Sequence, residues 1–76
     1  MDELSFEDRE IVMQVMGAVR PTLTQRQAEC LLWQLAGFTQ REVGEALGIS
    51  HVAVGHHFRA ALRKVGEIAP QYLPTG

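Results

Sequence analysis

Arg59, Arg63 and Lys64 stand near the end of a 76-residue chain, preceded by His51, Val52, Gly55 and His56. These residues are hydrogen-bond donors interleaved with small groups. An arginine can engage both acceptors on the edge of a guanine, a histidine can donate to a base or a phosphate, and a valine can touch a thymine methyl. Further back, Thr39, Gln40 and Arg41 occupy the place where another helix should begin, and helix N-termini attract phosphate. The set is suited to recognising double-stranded DNA. Catalysis finds less support. Cys30 lies in an apolar stretch without a histidine nearby, Ser50 has the position of a helix cap, and neither paired acids nor a glycine-rich phosphate loop occurs. His56 and His57 point apart on a helix, and His51 precedes His56 by five positions. Neither spacing is the i, i+4 pair that chelates a metal. No catalytic residue, metal or cofactor is expected. Histidine changes charge near neutrality, so affinity for DNA is expected to rise as pH falls from about 8 to about 6.

Two helices must position these groups. Thr39 and Glu42 form a capping box that opens the first, over Gln40–Leu47. Val43, Ala46 and Leu47 give it one apolar stripe. Gly48 follows its end, where a positive φ is usual. Ile49 plugs the corner, and Ser50 caps a second helix over His51–Val65, which Gly66 should end. With Val54 as origin and steps of about 100°, Phe58, Ala61, Leu62 and Val65 fall within about 80° and should face the core. Val52, Ala53, His56, Arg59, Ala60 and Arg63 then face outward, with His57 and Lys64 on one flank and Gly55 on the other. A turn this short makes the helices cross steeply, as in a helix-turn-helix. Gly44 is the small residue at the crossing. The alternatives are an ordinary helical hairpin and a solvated face whose basic residues are adventitious. If the motif holds, the start of the second helix, with His51, Val52, Gly55 and His56, comes nearest the bases. Arg59, Arg63 and Lys64 are then placed for phosphate or deeper groove contact.

The preceding chain supplies support. Residues 1–4 are expected to fray. Ser5 with Asp8 can cap a leading helix over Phe6–Val19, and the acids of its first turns suit the helix dipole. Arg20-Pro21 should stop it, because the residue before proline avoids the α region. Thr24 and Gln27 open a further helix over Gln25–Ala36, with Gly37 as its C-terminal cap. Ala28, Leu31, Leu32 and Leu35 form one stripe, and Cys30 and Trp33 lie elsewhere on the circumference. A helix so broadly apolar is expected to be the central, mostly buried one; Trp33 and Cys30 could instead form a partner patch. Pro70 and Pro74 prevent the tail from being one helix, and Ile68, Tyr72 and Leu73 could fold back or form a short adhesive segment. The fold class is therefore all-α, a small four-helix bundle carrying a helix-turn-helix. One domain is expected over residues 1–76: a leading helix at 5–20, a central helix at 24–37, the motif at 39–47 and 51–65, and a tail at 67–76.

The net charge of −2 is unevenly spread. Five acids against Arg9 make residues 1–10 acidic, while six bases against Glu29, Glu42 and Glu45 make residues 11–66 net basic by three. A mildly basic module makes few phosphate contacts, and one copy buries too little surface for tight specific binding, which points to a homodimer. A lone cysteine, an acidic leader and the lack of any apolar run of about 20 residues suggest a reducing, cytoplasmic setting without membrane association.

From Leu23, Thr24, Arg26, Glu29, Cys30 and Leu31, through Gly37, Phe38, Thr39, Glu42, Val43, Gly44, Leu47, Gly48, Ile49 and Ser50, to Val54, the chain resembles LuxR-type helix-turn-helix domains. It is equally similar to region 4 of bacterial sigma factors. The resemblance covers about residues 23–65. It implies sequence-specific DNA binding in bacterial or phage transcription. On the sigma side it also implies promoter recognition and contact with RNA polymerase, or a protein-interaction module with little DNA contact. Where both families often carry Thr and Lys or Arg, this chain has Ala53 and Gly55.

Overall fold

The computed structural model describes residues 5–74; the fraying expected of residues 1–4 lies outside them. Four helices follow in order: α1 (Phe6–Val19), α2 (Gln25–Leu35), α3 (Gln40–Leu47) and α4 (His51–Ile68), with 3-10 turns at Arg20–Thr22 and Ala69–Gln71. No strand occurs among the described residues.

Each helix starts where a hydroxyl can accept a backbone N–H. The Thr24 hydroxyl accepts from Gln27 N and the Gln27 side chain accepts in return, both at 3.1 Å. Thr39 and Glu42 repeat the exchange at 3.1 and 2.9 Å. Ser50 accepts from Ala53 N, and Ser5 from Asp8 N. Only this forward bond forms at α1, since Asp8 is a methylene shorter than the Glu or Gln that closes a capping box. The helix ends are equally local. Gly37 and Gly48 take positive φ, 103° and 72°. At the end of α2, Phe38 N donates to Trp33 O and Gly37 N to Gln34 O, the paired bonds of a Schellman cap. The apolar contact that accompanies such a cap is made here by Trp33 and Phe38, edge to face at 4.8 Å. Trp33 is thus a capping side chain, 37% exposed, while Cys30 is fully buried.

α1 ends at Val19 as expected, but not because the residue before the proline leaves the helical region, and α4 runs beyond its expected end. Arg20, although it precedes Pro21, stays in the right-handed helical region and leads into a 3-10 turn. The proline sits at the start of that turn, where its missing N–H removes no bond, and the Thr22 hydroxyl donates to Val19 O. Likewise α4 runs past Gly66 to Ile68, and Ala69 N still bonds Val65 O. Glycine in a right-handed helix weakens it without ending it; the helix yields to a 3-10 turn at Pro70. The tail then folds back, bringing Leu73 to a groove with Ile11, Val12, Val15 and Met16.

The larger correction concerns the hub. α4, not α2, packs against each of the other three helices. The innermost cluster is Cys30, Val43 and Val54, with Leu47, Ile49 and Phe58 packed on it. Val15, Val19, Leu31 and Ala61 are also buried. The side of α2 carrying Leu32 and Leu35 stays open, because α1 leans on α4 rather than closing over α2. Two expected core residues are exposed as well: Ala46 on α3, and Leu62, which lies at the edge of the α4 apolar arc and is 42% exposed.

Candidate nucleic-acid interface

α3 and α4 are joined by Gly48, Ile49 and Ser50 alone. Gly44 meets this turn closely: a Cβ there would lie 2.7 Å from Ile49 O and 3.3 Å from His51 N. With no side chain on Gly44, α3 approaches the start of α4, and Val43 and Val54 reach the same core cluster. Burying Val54 and Ala61 fixes the rotation of α4 and turns Val52, His56, Arg59 and Arg63 to the exposed side; His51, the first residue of the helix, is exposed as well. The Arg59 guanidinium Nη2 lies 3.5 Å from His56 Nδ1, a long contact. Ala53 and Ala60 are half-buried between these residues. The described part of the tail folds toward α1 instead and leaves this face open.

Two residues expected on the face are otherwise engaged. Gly55 is buried, with the Gln40 amide and the Arg59 guanidinium packed over it. The Lys64 ammonium turns back to donate to the Thr22 carbonyl and to Gln27 Oε1, the latter at 3.2 Å. It ties α4 to the α1–α2 connection, over the capping box that opens α2. Nothing in the spacing of Lys64, Thr22 and Gln27 signals this bond, which joins residues some 40 positions apart. The strongest cations left exposed on this side are Arg59 and Arg63, with Arg41 exposed on α3.

At the start of α3 the Thr39 hydroxyl is occupied by its cap, Gln40 is half-buried over Gly55, and Arg41 is free to solvent. The Glu42 carboxylate accepts from the Thr39 backbone N–H, which holds its pKa below the ordinary carboxylate value. A depressed acid stabilises the fold when ionised, and that contribution fades as pH falls through the depressed value. The stability difference between the wild type and Glu42→Gln, measured by thermal melts between about pH 7 and pH 3, should therefore close on acidification. A constant gap would show that the capping carboxylate plays no part.

Among the described residues no group of His, Cys, Asp and Glu could hold a metal ion. Burial pushes the Cys30 thiol above its ordinary pKa, with Arg26 opposing and Glu29 adding to the rise. Such a thiol is a poor nucleophile. No helix among the described residues is long and apolar enough to cross a membrane.

A capped short helix, a three-residue turn and a longer helix with a polar outward face define a helix-turn-helix module. Residues 21–67 match the family described as bacterial regulatory proteins, luxR family, and the chain belongs to it. It is 39% identical over 46 residues to the transcriptional activator protein AhyR of Aeromonas hydrophila, and equally so to the transcriptional activator protein AsaR of Aeromonas salmonicida. Each alignment covers 60% of this chain but only 18% of the relative. No solved structure matches the chain.

Proposed function

We propose that this chain is a sequence-specific DNA-binding module of a transcriptional regulator, with α4 entering the major groove. The observation that carries the reading is the open outward face of α4, where His51, Val52, His56, Arg59 and Arg63 stand free of the core and of the described part of the tail. His51, Val52 and His56, near the start of the helix, face the base edges. Arg59 reads a base, Arg63 and Arg41 bind phosphate, and the backbone at Thr39 and Gln40 meets a further phosphate at the N-terminus of α3. Family membership and the names of the two relatives support a role in bacterial transcription, which we place in the cytoplasm, without catalysis or cofactor. A homodimer on a paired site would supply the affinity that one such module lacks.

A titration of random and selected duplexes over a range of salt concentrations tests the reading. Affinity should fall with salt, with a slope of about −2 for the two arginine contacts to phosphate per chain, and selected duplexes should outcompete random ones. Arg63→Ala should reduce the slope by about 1, while Arg59→Ala should weaken selected duplexes by roughly tenfold and relax one base preference. Unchanged binding in both variants would sink the DNA reading.

A second reading draws on a different observation. Met16, Gly17, Leu23 and Leu32 line an open apolar groove between α1 and α2, and Phe6 and Met13 are exposed nearby in sequence. Such a surface suits a module that docks on RNA polymerase or another regulator and touches DNA little. Retained regulation by the Arg59 and Arg63 variants would favour it.

A further inference from the structure

We infer that Gly55 is a notch in α4 that joins Gln40 and Arg59 into one DNA-reading unit, in which Gln40 positions the Arg59 guanidinium for a guanine edge. The inference rests on the DNA-binding reading above. Gly55 lies inside α4, where glycine is a poorer helix former than alanine, and its φ is not positive. No turn requires it. What fills the space of its absent side chain is specific: a Cβ at this position would lie 3.2 Å from both Oε1 and Nε2 of Gln40 and 3.3 Å from Arg59 Nη1. Gln40 comes from α3 and Arg59 from the next turn of α4, so both side chains end at the notch, close enough for a small rotation of either to bring them into hydrogen-bond contact. The second terminal nitrogen of the guanidinium, Nη2, lies 3.5 Å from His56 Nδ1.

The chemistry of the three groups fits this arrangement. Arginine has donors only, whereas the glutamine amide offers one acceptor and two donors. Gln40 Oε1 can accept from one edge of the guanidinium and leave its other edge free for the nucleic acid. An arginine restrained before it binds loses less freedom on making a bidentate contact. Arg63, one turn further on, has no side-chain partner among the described residues. Gln40 is thus a positioning residue, and Gly55 is the gap that lets it act.

The test compares Gly55→Ala and Gln40→Ala with the wild-type chain, alone and in an Arg59→Ala background. In the free protein, 15N relaxation of the Arg59 Nε–Hε group should report more order than that of Arg63, and both variants should abolish the difference. Each variant should weaken a selected duplex by about tenfold, within the range of one lost bidentate base contact. Random duplex should bind as before, and neither change should add to the effect of Arg59→Ala, since coupled residues are not additive. Gly55→Ala should melt no lower than the wild type, which separates lost reading from lost folding. Selectivity that survives Gly55→Ala, losses independent of Arg59, or an Arg59 as mobile as Arg63 would each overturn the inference and leave the DNA-binding reading standing. A wild-type chain that binds no duplex at low salt overturns both.

Discussion

Gly44→Ala is expected to destabilise the protein by about 2 kcal/mol, although alanine is the better helix former by about 1 kcal/mol. The sign is set by what the new methyl group meets. Its nearest neighbours would be Ile49 O at 2.7 Å, His51 N at 3.3 Å and Ser50 C at 3.4 Å. All three are backbone atoms, so no side chain can swing aside. The turn that carries them is itself held. Gly44 O accepts from both Gly48 N and Ile49 N, and the Ser50 cap fixes the first turn of α4. Relief must come from prying α3 away from α4, which loosens Val43 and Val54 in the shared core. Overpacking of this kind costs typically 1–3 kcal/mol, and about 3 here because backbone must move; subtracting the helix-propensity gain leaves about 2. For a chain of this length the melting temperature should drop by roughly 10 °C. Gly55→Ala provides the contrast, because its methyl meets only the ends of two flexible side chains. The same substitution in adjacent helices should therefore change stability in opposite directions. A Gly44→Ala variant that melts at or above the wild type would show that α3 and the turn are not in contact.

Leu31→Ala should cost about 3 kcal/mol, and Leu32→Ala less than about 0.5 kcal/mol. The two leucines are neighbours in sequence, yet Leu31 is 1% exposed and Leu32 56%. Truncating Leu31 removes buried methyl groups and leaves a gap between helices that collapse only in part. Because Leu31 also borders the open groove with Met16 and Leu23, some relaxation is available, which keeps the figure away from the upper end of about 5 kcal/mol. A chain this short has a total stability of about 4–11 kcal/mol, so one such loss removes between about a quarter and three quarters of it. Urea unfolding with an unchanged slope and a lowered midpoint would report the effect cleanly. Equal losses in the two variants would mean that the rotation of α2 is wrong.

Both predictions depend on tertiary detail, and the sequence carried their ingredients unequally. The close approach at Gly44 was legible because a glycine inside a short helix beside a three-residue turn has few other uses. The difference between Leu31 and Leu32 was not. Periodicity placed Ala28, Leu31, Leu32 and Leu35 on one stripe, but a stripe says only which residues could be buried together. How much of it is covered depends on where another helix lies. The same gap explains Leu62, apolar and at the edge of its arc, and Trp33, whose contact with Phe38 belongs to a cap. Of the candidate site, the outward position of Val52, His56, Arg59 and Arg63 followed from the apolar arc of α4, while His51 entered through the docking geometry of the motif. The covering of Gly55 by Gln40 and the capture of Lys64 by Thr22 and Gln27 did not, since each joins groups on different helices.

Local chemistry wrote the helix starts into the chain. A hydroxyl that accepts an N–H three residues on, and a glycine free to take positive φ, act within a single turn, and their neighbours in sequence are their only partners. The all-α class and the starts of all four helices follow from such signals. Only folding in three dimensions made α4 the hub, left one side of α2 bare and drew Lys64 away from the outward face. Those outcomes depend on which faces meet, and that competition is settled by the total apolar area covered when all the helices pack at once.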